Sequence, residues 1–187
     1  TLAYGPHRVI IFRDNAEKAN QIEPLSHYDS DDPEDLWAFL NDYEEKTGGR
    51  VLAIPHNGNL TRGSMFSLSN YNGHPLSEKY ANLRSRWEPL YEVTQIKGDS
   101  ETHPVLSPND EFANYETWTL RLYDIGKEIE PAGINEKYEY ARSALKVGLK
   151  QQVRLNANPF KFGMIGSTDA HTSMPAVEEN NFWGKMA

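Results

Sequence analysis

Gly166-Ser167-Thr168-Asp169-Ala170-His171 places a carboxylate and an imidazole two residues apart, directly after the apolar run Phe162–Ile165. Such a run is expected to be a short buried strand over Phe162–Gly166. Side chains just past a strand's carboxyl end in an α/β sheet or barrel face its mouth, where metals and reacting groups sit. His56 follows the apolar run Val51–Ile54 and Pro55, and His103 lies in the loop after Leu90–Gln95. If the three strands are parallel, His56, His103, Asp169 and His171 converge on one face. Imidazole plus carboxylate, without thiolate, suits Zn, Mn or Fe at a hydrolytic site. Such an ion would lower the pKa of a coordinated water toward neutrality and polarise an ester or phosphoryl oxygen. His171 or His103, where not a ligand, is the candidate to protonate a leaving group.

Taken singly, each element has an ordinary explanation. His56 alone is a loop residue, His103 beside Glu101 is solvated, and Asp169 is a helix N-cap with a neighbouring histidine. Position at three strand ends is what joins them. Asn57, Asn59, Arg62 and Lys97 lie close by in sequence and are candidate substrate contacts, the cations for an anionic group and the amides for orientation. Turn chemistry explains Asn-Gly equally well, and surface placement explains Arg62 and Lys97. His7, His27 and His74 follow no expected strand end and are read as ordinary residues.

The elements that must position these groups alternate. Val9–Phe12 reads as a strand. A helix is expected from Asp32 as N-cap and Pro33 at the first helical position, with Leu36, Phe39, Leu40 and Tyr43 on one face and Gly48-Gly49 as its end. Val51–Ile54 is the next strand, and 57–72 is a long Gly-, Asn- and Ser-rich loop. Ser77–Trp87 reads as a helix and Leu90–Gln95 as a strand whose alternation leaves one face less buried. His103 falls in the loop 97–110. Helices are expected over Glu111–Tyr123 and from Asn135 to about Gln152, the latter burying Tyr138, Ala141, Leu145, Leu149 and Val153. Alternation of strand and helix points to a parallel sheet with right-handed crossovers, open or barrel-like.

The 187 residues suit a single domain with a real core. A net charge of −8 disfavours nucleic acid or an anionic membrane as partner, but bound metals would still admit an anionic small-molecule substrate. With no cysteine, disulfides and thiolate metal sites are excluded. No apolar run approaches membrane-spanning length. The acidic cluster Asp29, Asp31 and Asp32 lacks calcium-loop spacing and reads as a solvated loop.

The segments Ala53–Leu60, Glu92–Pro104, Ser107–Ala113 and Gly166–His171, with the closing Val177–Gly184, together resemble a bacterial family grouped with the PHP (polymerase and histidinol phosphatase) superfamily. The resemblance runs over nearly the whole chain. It implies a distorted (β/α)7 barrel with up to three metals at the strand ends. By motif position, His56 and His103 resemble two separate histidine ligands of one metal, Asp169 a ligand of a second and His171 of a third. The superfamily's early His-x-His does not occur in this sequence, and no Asp-His precedes Arg8. The expectation is therefore a partial barrel, truncated at both ends, with partial metal occupancy and weak or no activity of its own. Its uncovered edges would favour self-association.

The expected function is that of a PHP-like metal-dependent hydrolase acting on phosphoesters. Two rivals stand beside it. One is a non-catalytic module binding an anion or saccharide, which needs no metal. The other is an amidohydrolase-like enzyme acting on amides or lactones.

Overall fold

The computed structural model describes residues 7–118 and 136–171, together with 178 and 180. Strand β1 (Arg8–Phe12) leads into a short helix α1 (Ala16–Ala19) and then helix α2 (Pro33–Thr47). Asp32 caps α2, its carboxylate accepting from the Glu34 N–H, and Gly48 closes it at φ +63°, a left-handed turn that glycine adopts without a Cβ penalty. Strand β2 (Val51–Pro55) follows and includes Pro55. Next come helix α3 (Glu78–Trp87), capped by Ser77, and strand β3 (Leu90–Gln95). The chain then forms a two-residue strand β4 (Gly98–Asp99), helix α4 (Ala141–Leu155) and strand β5 (Gly163–Gly166).

The parallel barrel expected from alternation is not what these residues form. Among the described residues there are two small sheets, β1-β2 and β4-β3-β5, in which only β3-β5 is a parallel pair. β1 and β2 are antiparallel because the connection through α1 and α2 is pinned shut where it leaves and returns. Arg13 N–H donates to the Arg50 carbonyl at 2.9 Å. Asp14 accepts from the Arg50 N–H at 2.6 Å and from the Tyr43 hydroxyl at 3.1 Å. Phe12 therefore faces Val51 and the strands run back along each other. β4 arises because Gly98, at φ +97°, reverses the chain directly after β3. Trp118 packs close against that glycine. A closed barrel needs successive parallel strands with helical crossovers, and these two local reversals replace them.

Other expectations shift in detail. β5 is not buried: Gly163, Met164 and Gly166 are exposed. Residues 111–116 form turns rather than a helix, and 119–123 lie outside the described residues, as does Asn135. α4 starts at Ala141, after a 3-10 turn at Glu136–Tyr138, and buries Ala141 as expected but beyond it a different face from the one expected. Ala141, Ala144, Val147 and Gly148 face inward, while Leu149 and Val153 are 63% and 91% exposed. Small residues face the core there because Asn158 and Phe160 approach the helix so closely that a Cβ on Gly148 would strike them. On β3, the alternation misleads at Glu92, which is buried alongside Tyr91.

The core joins Trp37, Leu40 and Tyr43 of α2, Ala53 of β2, Tyr80 and Trp87 of α3, and Tyr91 of β3 with Phe66, Phe160 and Ala144. At its centre sits Glu88, just after α3. Its carboxylate accepts from Arg8 Nε at 2.8 Å and Trp37 Nε1 at 3.0 Å, and pairs with Arg84 Nε at 3.0 Å. Burial pushes this carboxyl up, but Arg8 and Arg84 outweigh burial and hold it below the usual carboxylate range. Among the described residues no helix is long and apolar enough to cross a membrane. Replacing Glu88 by Gln leaves two buried guanidinium groups without their counter-charge, which typically costs about 3–5 kcal/mol. Urea unfolding of Glu88→Gln is expected to show a loss of that size, and a change within experimental error would refute the assignment.

Candidate functional site

The carboxyl ends of β2, β3 and β5 meet although the strands belong to two sheets. β2 lies against β3, and β3 is hydrogen-bonded to β5 with an irregularity between Glu92 and Thr94. Pairing ends where Ser167 N–H donates to the Thr94 carbonyl at 3.1 Å. Beyond these ends His56, Lys97, Asp169 and His171 come together.

His56 is buried. Its N–H donates to the His7 carbonyl at 3.1 Å, and its ring lies 5.6 Å from that of His7. Its Nδ1 is 3.1 Å from Gln95 Nε2, while Gln95 Oε1 accepts from the Lys97 N–H at 3.2 Å. With the amide oxygen engaged, the Gln95 NH2 donates to His56 Nδ1, so a neutral His56 carries its proton on Nε2. Burial, and after it the positive groups His7, Lys97, His171 and Arg8, pushes the His56 pKa down to about 4. The ring is therefore neutral at physiological pH.

The Lys97 ammonium contacts Asp169 Oδ2, and the two side chains are largely buried. The other carboxylate oxygen accepts from His171 Nε2 at 2.7 Å. Asp169 thus stands between an ammonium and an imidazole. Asp169 and His171 have φ of +49° and +56°, a region uncommon for residues with a side chain and frequent where function constrains the backbone.

The remaining candidates are placed differently. Asn59 ties the loops together, its Nδ2 donating to the Lys97 carbonyl at 3.0 Å and its Oδ1 accepting from Ser100 Oγ at 2.7 Å. Asn57, at φ +58°, is buried, and its Oδ1 has no hydrogen-bond partner among the described residues. Gly58 lets this loop approach Tyr91 and Glu139 so closely that a Cβ would overlap both. Arg62 is exposed on the outer part of the same loop. His103 packs its ring 5.5 Å from that of Tyr140, and its Nδ1 accepts from the Val105 N–H at 3.3 Å. That loop is held from outside by Arg142, which bonds Glu101 and Asp110.

Three neighbours of the cluster were not among the sequence candidates: His7, Glu92 and Gln95. Gln95 and Glu92 lie inside a motif that the family resemblance uses, and period-two alternation places Gln95 on the face of Tyr91. His7 carries no signal of its own, because only the β1-β2 register brings it to His56.

The donor chemistry can be set against the expected divalent metal. Two neutral-capable imidazoles and a carboxylate are the right types. Asn57 Oδ1 and Glu92 Oε1 are buried acceptors with no hydrogen-bond partner among the described residues, which also suits a cation. As arranged, however, no group of three or more His, Asp or Glu side chains among the described residues is set to hold a metal. Lys97 supplies the cation that Asp169 faces. The donor types fit, and Lys97 holds them in another arrangement.

The His56 shift gives a pH dependence with a definite sign. Because its folded pKa is depressed, the unfolded chain binds more protons between about pH 6.5 and about pH 4. This contribution is complete above about pH 6.5 and is lost as pH falls through that window. Unfolding measured from pH 7.5 to 4.5 should show a shallower fall in stability for His56→Asn than for the wild type. Parallel profiles would show that His56 is not held neutral.

No curated protein and no solved structure matches the chain. A family model described as Protein of unknown function (DUF3604) matches residues 4–187, nearly the whole sequence, and the chain belongs to that family.

Proposed function

We propose that this chain carries part of the site of a metal-dependent hydrolase acting on an anionic small molecule, a phosphoester by its resemblance to the PHP superfamily. The observation that carries the reading is the meeting of His56, Asp169 and His171 at strand ends, inside a partly buried, charged cluster.

His56 and Asp169 are the residues proposed to hold a Zn, Mn or Fe ion, with His103 and His171 as further candidates. When bound, such an ion supplies Lewis acidity and a water of lowered pKa. The chain's own side chains do the rest. Asp169 accepts from His171 Nε2 and so fixes the ring's orientation and tautomer, leaving Nδ1 as the proton-exchanging atom of a neutral His171. His171 is half-exposed, so it can reach a leaving oxygen and exchange its proton with solvent. The Lys97 ammonium lies in the same cluster, where it adds positive potential toward an anionic ester.

That ammonium also favours a second reading, a module that binds an anion without chemistry. Elemental analysis after exhaustive dialysis, with p-nitrophenyl phosphate turnover in parallel, separates the two. The hydrolase reading expects near-stoichiometric Zn, Mn or Fe that is lost in the His56→Ala, Asp169→Asn double variant. Any phosphoester turnover the chain has is expected to fall on the order of a hundredfold or more in His171→Gln. Phosphate binding with neither metal nor turnover would overturn it in favour of the binding module.

A further inference from the structure

We propose that the Lys97 ammonium and a divalent metal compete for the Asp169 carboxylate, so that Lys97 sets the metal affinity of the site. The inference rests on the metal-dependent reading above and goes beyond it by assigning a residue that opposes metal binding.

Two features of Lys97 act in the same direction. Its ammonium contacts Asp169 Oδ2 where both side chains are largely withdrawn from water. A divalent ion on that oxygen would meet a like charge at short range, and partial burial weakens the screening. Its backbone N–H engages Gln95 Oε1 and so turns the Gln95 amide donor toward His56 Nδ1. In that state His56 carries its proton on Nε2 and offers no lone pair there to a metal. One residue thus covers the carboxylate ligand and, through Gln95, keeps an imidazole ligand in the wrong tautomer.

The structure also provides a place for the ammonium to go. Glu92 lies on β3, is buried, and interacts electrostatically with Lys97. Its Oε1 has no hydrogen-bond partner among the described residues. Moving the ammonium from Asp169 to Glu92 would free Asp169 while keeping Lys97 paired. It would also satisfy an acceptor whose burial is otherwise a cost. The hold on Gln95 Oε1 is made by the Lys97 backbone N–H, so it persists when the ammonium moves, and competition is confined to the Asp169 carboxylate.

Calorimetric titration with Zn2+ tests this on the full chain, with no need for turnover. Lys97→Met, which keeps the stem and removes the charge, is expected to bind Zn2+ on the order of tenfold or more tighter than the wild type. Lys97→Arg, which keeps the charge, should show no gain, and adding Asp169→Asn to Lys97→Met should abolish it. Circular dichroism checks that each variant is folded, and Lys97→Gln replaces Lys97→Met if the latter is not. If the charge-removed variant binds Zn2+ no tighter than a wild type that does bind it, competition is refuted and the metal reading survives. If neither binds Zn2+, both fall together.

Discussion

The buried carboxylate of Glu88 holds this molecule together, because four segments meet on it and none can withdraw without stranding a charge or an indole N–H. Arg8 brings β1, Trp37 brings α2, and Arg84 brings the last turn of α3, which runs directly into β3. Arg84 extends the junction further. It donates to the Met65 carbonyl and lies over the rings of Phe66 and Phe160, so the loop after β2 and the segment leading into β5 depend on the same ion cluster. Burying three charges is expensive unless each is paired, and here each is, with Glu88 Oε1 hydrogen-bonded to Arg8 and Trp37 and Oε2 ion-paired with Arg84. The arrangement places Arg8, whose register partner is Pro55, one residue from His56.

The site inherits its electrostatics from that geometry. His56 sits at the seam between the two sheets, withdrawn from water and facing positive groups, so its imidazole stays neutral. Asp169 lies on the other side of the seam with a cation and an imidazole on its two oxygens. Gln95 links the sides by reading the Lys97 backbone with its oxygen and the His56 ring with its nitrogen. The hydrogen-bond polarity of this chain is fixed by which atom Gln95 presents to His56. A cluster so connected changes state as a unit, because moving one donor leaves another acceptor unmet.

The sequence and the structure agree best where short-range chemistry decides. Asp32-Pro33 starts α2 and Gly48 ends it because caps, fixed φ and left-handed turns are local preferences. Strands β1 and β2 follow from apolar runs bounded by breakers, and β3 from an alternating pattern. Agreement fails where a distant neighbour decides. The inward face of α4 is the one with small residues, because Phe160 and Asn158 demand close approach, whereas its larger apolar residues Leu149 and Val153 face outward. Glu92 looked like the polar side of a half-exposed strand and is buried near Lys97 and Gln95.

Sequence alone determined the residue types that can act here, His56, Asp169 and His171 without thiolates, and their places just beyond strand runs. Those properties depend on side-chain chemistry and local hydrophobic pattern. Strand direction, the company each group keeps and its protonation are not local. The antiparallel return of β2 along β1 is decided by Asp14 and Arg13 clasping Arg50, and this register brings His7 to His56. Lys97 reaches Asp169 only because β3 and β5 lie side by side. Tertiary structure decided these things because pairing energy and desolvation depend on distances between residues far apart in the chain.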